Sequence, residues 1–223
     1  MPDLLVTGTD TGVGKTVIAA ALVMALRARG VRALGFKPAQ TGIEESGESD
    51  ADRLARASGE ITHLAAPLIQ LDEPLAPAVA SDRAGILIDV KDIEARIELL
   101  RRAGYSLVIE GAGGVMVPLV WGYTVLDLAA RFHLEAVVVG RAGLGTLNHI
   151  VMTVTVLQAK DIPIRGVVLN GRRARPDLAE STNPGALARM LPGIRIIEVP
   201  HQIGPHVAPA IEPLVGQLLD GTI

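Results

Sequence analysis

The chain has 223 residues, a net charge of -3 and 49% hydrophobic residues, which suits one domain over residues 1–223 with a single large core. It has no cysteine, which excludes disulfides, thiolate zinc sites and thiol nucleophiles. Its aromatics are only Phe36, Tyr105, Trp121, Tyr123 and Phe132, and its balance is slightly acidic, so neither the stacking platforms nor the basic footprint of a nucleic-acid binder is present.

The chain opens on a short apolar run at residues 4–7 rather than on a basic segment followed by a long apolar one, and reads as a strand, not a signal peptide. Similar runs recur at residues 33–37, 107–110, 136–139, 166–169 and 195–199, β-branched or apolar without alternation, as in strands covered on both faces. Helical stretches are expected over residues 16–29, 50–57, 90–103, 124–132, 145–158, 185–190 and 210–219, with Gly30 closing the first. The alternation predicts an α/β fold: a doubly wound, mostly parallel sheet flanked by helices, with ligands at the carboxyl ends of the strands. Residues 41–49, 66–85 and 172–184 read as loops. No apolar run nears the roughly 18–20 residues of a membrane helix, and a soluble cytoplasmic protein is expected.

After the first strand comes Gly8-Thr9-Asp10-Thr11-Gly12-Val13-Gly14-Lys15-Thr16, between a strand and a helix as a P-loop requires. Gly12 and Gly14 let successive backbone N–H groups turn inward on a phosphate, Lys15 reaches the β/γ-phosphates, and the Thr16 hydroxyl suits Mg²⁺. The strict pattern has glycine where Thr9 stands, and the plainer reading is a glycine-rich turn. The following helix is apolar all round, from Val17 to Met24, and is expected to be buried.

Lys37 ends the second strand, where an ammonium is costly unless it meets an anion; the alternative is a snorkelling surface lysine. Asp50 and Asp52 open a helix and are candidates for a metal ligand or for an N-cap pair with Ser49. Glu110 follows an apolar strand and precedes Gly111-Ala112-Gly113-Gly114, either as a metal-site carboxylate beside a ligand-hugging backbone or as a strand-end Glu. The 143–149 segment leads into an unusually apolar helix, residues 150–157, which is either buried or at a subunit interface. Asn170-Gly171 reads as a base-edge contact or a plain turn, and the five histidines lack metal spacing.

Taken together, Thr9-Asp10-Thr11-Gly12-Val13-Gly14-Lys15-Thr16, Lys37-Pro38 with Gln40-Thr41-Gly42, Ser49-Asp50-Ala51, Pro74-Leu75-Ala76-Pro77, Glu110-Gly111-Ala112-Gly113-Gly114 and Leu144-Gly145-Thr146-Leu147-Asn148-His149 resemble dethiobiotin synthetase. The match runs in order to about residue 200, and Thr9 is itself typical of that family. The resemblance implies a homodimeric enzyme that closes a cyclic urea on 7,8-diaminononanoate with CO2, ATP and Mg²⁺. It implies Lys37 and Lys15 as catalytic lysines, and Thr16, Asp50 and Glu110 as Mg²⁺ ligands. Gly12, Val13, Gly14, Lys15, Thr16 and Val17, with Glu110, Gly111, Ala112 and Gly113, match the nucleotide loops. Asn170, Gly171, Pro200, His201 and Gln202 match the adenine side. Thr11 and Thr41 match substrate contacts, and Asn148 of the second subunit would hold the substrate carboxylate. After Pro200 the chain is short and departs from the pattern. Two other readings are a P-loop partitioning or switch ATPase, which usually has a lysine where Asp10 stands, and a related amide-forming synthetase.

Overall fold

The six apolar runs become six strands of one parallel sheet. The computed structural model describes residues 2–42, 48–59, 67–201 and 207–220. In chain order the elements are β1 (Leu4–Gly8), α1 (Lys15–Ala28), β2 (Ala33–Phe36), β3 (Ala39–Thr41), α2 (Asp50–Ala57) and β4 (Ile69–Leu71). Then follow α3 (Pro77–Ala84), α4 (Val90–Arg102), β5 (Ser106–Gly114), β6 (Pro118–Val120), β7 (Tyr123–Thr124) and α5 (Val125–Arg131). The chain continues through β8 (Glu135–Arg141), α6 (Thr146–Gln158), β9 (Ile164–Arg172), α7 (Leu178–Met190), β10 (Ile196–Pro200) and α8 (Val207–Val215), with a 3₁₀ turn over Gly216–Leu219.

The sheet order is β10-β9-β8-β1-β5-β2, with every pairing parallel. Central β1 lies between β5 and β8, with Val6 opposite both Glu110 and Val137. Side chains alternate between two cores, as the strand pleat dictates. Leu5, Leu107, Ile109 and Val138 pack beneath α4, α5 and α6, with Ile93, Leu128 and Ile150. Leu4, Val6, Val108 and Val137 pack beneath α1 and α8, with Ile18, Leu22 and Ile211. Covering on both faces explains why these strands read as continuous apolar runs.

Helix α1 is buried as expected: Ile18 through Val23, Ala25 and Leu26 are all enclosed. Arg29 is its C-cap, and Gly30 follows in the left-handed region (φ 79°) with Val31 N–H closing onto the Leu26 carbonyl at 3.1 Å. Two stretches read as loops contain helix. α3 starts on Pro77 behind an Ala76 cap that offers no side-chain acceptor, so no start signal marks it. α7 starts at Leu178 behind Asp177, whose carboxylate accepts from Glu180 N–H, and runs through Pro184 instead of beginning after it. Strand pairs β3–β4 and β6–β7 are two or three residues per strand, too short for a period to register. Among the described residues no helix is long and apolar enough to cross a membrane.

Candidate functional site

Parallel strands end at one edge of the sheet, and the loops after β1, β2, β5, β8 and β9 gather there. The loop after β1 is pinned where it leaves the strand. Thr9 N–H donates to the Val139 carbonyl at 2.9 Å, and the Asp10 carboxylate accepts from Thr11 N–H at 2.7 Å and from Arg141 at 2.9 Å. Gly14 is the N-cap of α1 at φ 96°, and no side chain caps the helix. The first N–H groups of α1 thus have no capping partner from a protein side chain, as an anion site at a helix N-terminus requires. A Cβ on Gly14 would lie 2.1 Å from Asn170 Nδ2, which itself donates to the Val13 carbonyl at 2.9 Å. The Asn170 amide therefore packs into the space that a glycine leaves and holds the loop's curl.

Beside this loop four polar side chains interlock in a buried cluster. Glu110, within β5 itself, is 1% exposed. Its Oε1 accepts from the Thr16 hydroxyl at 2.9 Å and from Lys37 Nζ at 3.0 Å. Lys37 also donates to Asp50 Oδ2. Lys37 is buried, which removes the snorkelling alternative. The choice at Asp50 and Asp52 is also resolved: Ser49 and Asp52 form the capping box of α2, which leaves Asp50 for Lys37.

The electrostatics follow from burial and proximity. Burial alone would depress the Lys37 ammonium, but attraction to Glu110 and Asp50 outweighs it and holds its pKa above the ordinary lysine value. Burial pushes the Lys15 pKa down, and the Lys37 charge adds to that. Asp50 stays below the usual carboxylate range because contact with Lys37 outweighs the opposing effect of burial. Complete burial raises Glu110, and the neighbouring Asp50 charge raises it further.

These groups line a cavity of about 510 Å³, together with Thr11, Gly12, Gly14, Lys15, Val17, Thr41, Ala112 and Gly113. Across the loop lies a second cavity of about 430 Å³, lined by Gly12, Val13, Val17, Asn170, Gly171 and His201, among others. The expected residues are therefore divided between two chambers. Four stand apart. Gly111 packs under α5, where a Cβ would meet Val125 at 2.8 Å. Pro200 ends β10 opposite Arg172 and lines neither cavity. Asn148 is exposed on α6, outside both. Gln202 lies outside the described residues.

The sequence reading missed Arg53, which lines the first cavity one helical turn beyond Asp50, a position that i,i+3 spacing would have offered. It gave no role to Pro74, Leu75, Ala76 and Pro77, which form part of the same wall. It also misses Glu180, buried at the second cavity on a helical turn within the 172–184 stretch that reads as loop.

Could these residues hold Mg²⁺? Thr16, Asp50 and Glu110 are hard oxygen donors, and among the described residues the buried Oε2 of Glu110 has no hydrogen-bond partner, so an acceptor is left to fill. Two carboxylates and a hydroxyl are what Mg²⁺ takes from a protein when phosphates and water complete its shell. The residues fit.

A parallel sheet with a glycine-rich loop running from its central strand into a buried helix, and a lysine and threonine at the helix start, defines the class of P-loop nucleotide-binding proteins. The AAA domain model matches residues 3–204. The chain is 44% identical over 191 residues to the ATP-dependent dethiobiotin synthetase BioD of Anaeromyxobacter dehalogenans, covering 85% of this chain and 86% of the relative. It is 36% identical over 207 residues to the enzyme of the same name from Aquifex aeolicus, covering 90% and 93%. The septum site-determining protein MinD of Pyrococcus horikoshii, solved with Mg-ADP, shares the fold with a TM-score of 0.56 and 16% identity, over 97% of this chain and 86% of that one. The chain belongs to the dethiobiotin synthetase family.

Proposed function

We infer that the protein is an ATP-dependent carbon–nitrogen cyclo-ligase of biotin synthesis, which closes a cyclic urea on 7,8-diaminononanoate with CO2 and releases ADP and phosphate. The observation that carries this reading is the buried Lys37, held by Asp50 and Glu110 in the same cavity as Lys15 and the phosphate loop. A neutral amine of the substrate attacks CO2, and the product carbamate is an anion that must approach the γ-phosphate. Lys15 and Lys37 offset that like-charge repulsion, which in a desolvated site is large. Phosphoryl transfer then gives a carbamic–phosphoric mixed anhydride. The second amine attacks its carbonyl, phosphate leaves, and the ring closes. The protein's part is positioning and charge neutralisation.

In this reading Thr16, Asp50 and Glu110 hold Mg²⁺, which supplies positive charge to the phosphates. Thr11 and Thr41 contact the substrate from the cavity wall. The segments around Asn170, Gly171 and His201 take the base. Residues 1–223 act as one catalytic domain in the cytoplasm. A homodimer is part of the reading: on α6 and the turn before it, Leu144 (93% exposed), Asn148 and Met152 (59% exposed) form an uncovered surface. Asn148 would then serve the partner's cavity rather than its own.

The test incubates the protein with Mg-ATP, bicarbonate and 7,8-diaminononanoate and follows phosphate. Release that depends on the diamine is expected; release equally fast without it would sink the assignment. For the dimer, sedimentation at micromolar concentration is expected to give twice the chain mass, and a fully active monomer would refute it.

A further inference from the structure

The first cavity carries a third cation to which the reaction as described gives no part. Arg53 lines it from α2, three residues after Asp50. Residues three apart on a helix are neighbours, with Cβ atoms about 5–6 Å apart, so Arg53 stands beside the carboxylate that contacts Lys37. Its charge also helps to hold the Asp50 carboxyl low. The three cations differ in commitment. Lys37 is bonded to Asp50 and Glu110, and Lys15 Nζ donates to the Asp10 carbonyl at 3.1 Å. Among the described residues the closest acid to Arg53 is Glu48, 3.7 Å from Nε and beyond a hydrogen bond, and Glu48 gives its other oxygen to Arg56. The Arg53 fork is therefore half exposed and open to an anion in the chamber.

We propose that Arg53 receives the transferred phosphoryl group, binding its oxygens once they have left ADP, first on the mixed anhydride and then as free phosphate. The inference rests on the ligase reading above. The phosphate loop grips the nucleotide, and that grip stays with ADP when the bond from the γ-phosphorus to the bridging oxygen breaks. The new bond joins the phosphorus to the carbamate oxygen, and the phosphoryl oxygens then need donors that do not belong to the loop. A guanidinium presents two parallel N–H groups to phosphate oxygens and keeps its charge throughout, so Arg53 binds without giving up a proton. The other oxyanion of the reaction is the substrate's own carboxylate. It lies at the far end of the alkyl chain from the amines, whereas Arg53 stands with Asp50 and Lys37 at the reacting end.

The test compares wild type, Arg53→Gln and Arg56→Gln. Inorganic phosphate is titrated calorimetrically into each protein saturated with Mg-ADP, and kcat and KM are measured with 7,8-diaminononanoate and with its amide, which lacks the carboxylate. Arg53→Gln is expected to weaken phosphate binding and to lower kcat, each by at least roughly tenfold, the scale of one hydrogen bond to a charged group. Its ADP affinity and its preference for the acid over the amide are expected to match those of wild type. Arg56→Gln removes an equal charge from the same helix outside the cavity and is expected to behave as wild type. Phosphate bound equally well by wild type and Arg53→Gln would overturn the proposal, as would a wild type whose ADP complex binds no phosphate. A preference for the acid that vanishes in Arg53→Gln would give Arg53 to the carboxylate instead and overturn it too. Equal losses in both variants would do the same, because the effect would then belong to the charge of α2 as a whole. A wild type that binds no ADP, or whose turnover does not need the diamine, would instead defeat the ligase reading on which the proposal rests.

Discussion

On one side of the phosphate loop Lys37, Asp50, Glu110 and Thr16 are bonded to one another, three of them buried outright and Asp50 partly so. On the other side Asn170 and Glu180 border a cavity whose rim carries exposed Arg141 and His201. On the first side each charge has its opposite within contact while Glu110 Oε2 stays open, and removing one charge leaves the others in a poorly solvated place. The second side makes single, separable contacts. The difference teaches where function is brittle. Substitutions in the interlocked cluster should act on rate, and those across the loop on nucleotide affinity.

The largest break is expected from Lys37→Ala. Losing a positioned charge at the developing anion should lower kcat roughly 10²–10³-fold, by the scale of an oxyanion donor. Steady-state kinetics on a variant shown to be folded by circular dichroism checks this, and near-normal kcat would remove Lys37 from the chemistry. Next comes Gly14→Ala. It demands φ 96° of an L-residue and places Cβ 2.1 Å from the Asn170 amide, so both chambers should suffer. A stability loss of about 1–3 kcal/mol with weakened ADP binding is expected. Thermal melts with and without ADP would show it, and an unchanged response to ADP would mean that the loop's curl is not required.

The pH dependence of binding sharpens the contrast further. Burial lowers the Lys15 pKa, and a bound phosphate favours the charged form. ADP affinity should therefore be full below the free protein's lowered pKa. It should fall as pH rises through it, by at most about tenfold per pH unit for one proton. Lys15→Arg, whose charge persists, should abolish that alkaline decline if the fork still reaches the phosphates. A decline that survives the substitution would point to another group. The smallest effect is expected at Arg141→Ala. The Arg141–Asp10 pair is open to solvent at both ends, and such pairs contribute about 0–1 kcal/mol. A loss of activity beyond a few-fold would show that Asp10 needs this partner to set the loop.

The six sheet strands were legible because both faces are covered, so each wrote itself as an apolar run. Lys37 and Glu110 were legible because each directly follows an apolar run, where a charge is conspicuous, and Thr16 because it closes the glycine-rich loop. Asp50 was ambiguous for a local reason: Ser49-Asp50 and Ser49 with Asp52 are both good helix starts, and only the capping box in three dimensions separates them. The base side was harder to read. Glu180 sits on a turn of α7 ahead of Pro184, which sequence reasoning treats as a barrier to helix, and its burial depends on contact with Arg173 and on a cavity formed by segments far apart in the chain. The short strands β3 and β4 carry no period, so the placement of Pro74 to Pro77 against the phosphate chamber could not be foreseen.

Gly12 and Val17 border both chambers, so the phosphate loop is a shared partition. An occupant that fills both must straddle it, and the two ends of that occupant meet opposite demands. One chamber holds the glycines of the loop and the ammonium groups of Lys15 and Lys37, and the other is walled largely by Val13, Val17, Ala142 and Leu144. A molecule with a strongly anionic tail and a flat, less charged head therefore fits in one orientation and not in the reverse. The partition makes the protein a keyed socket, which fixes the direction of entry before any bond is made or broken.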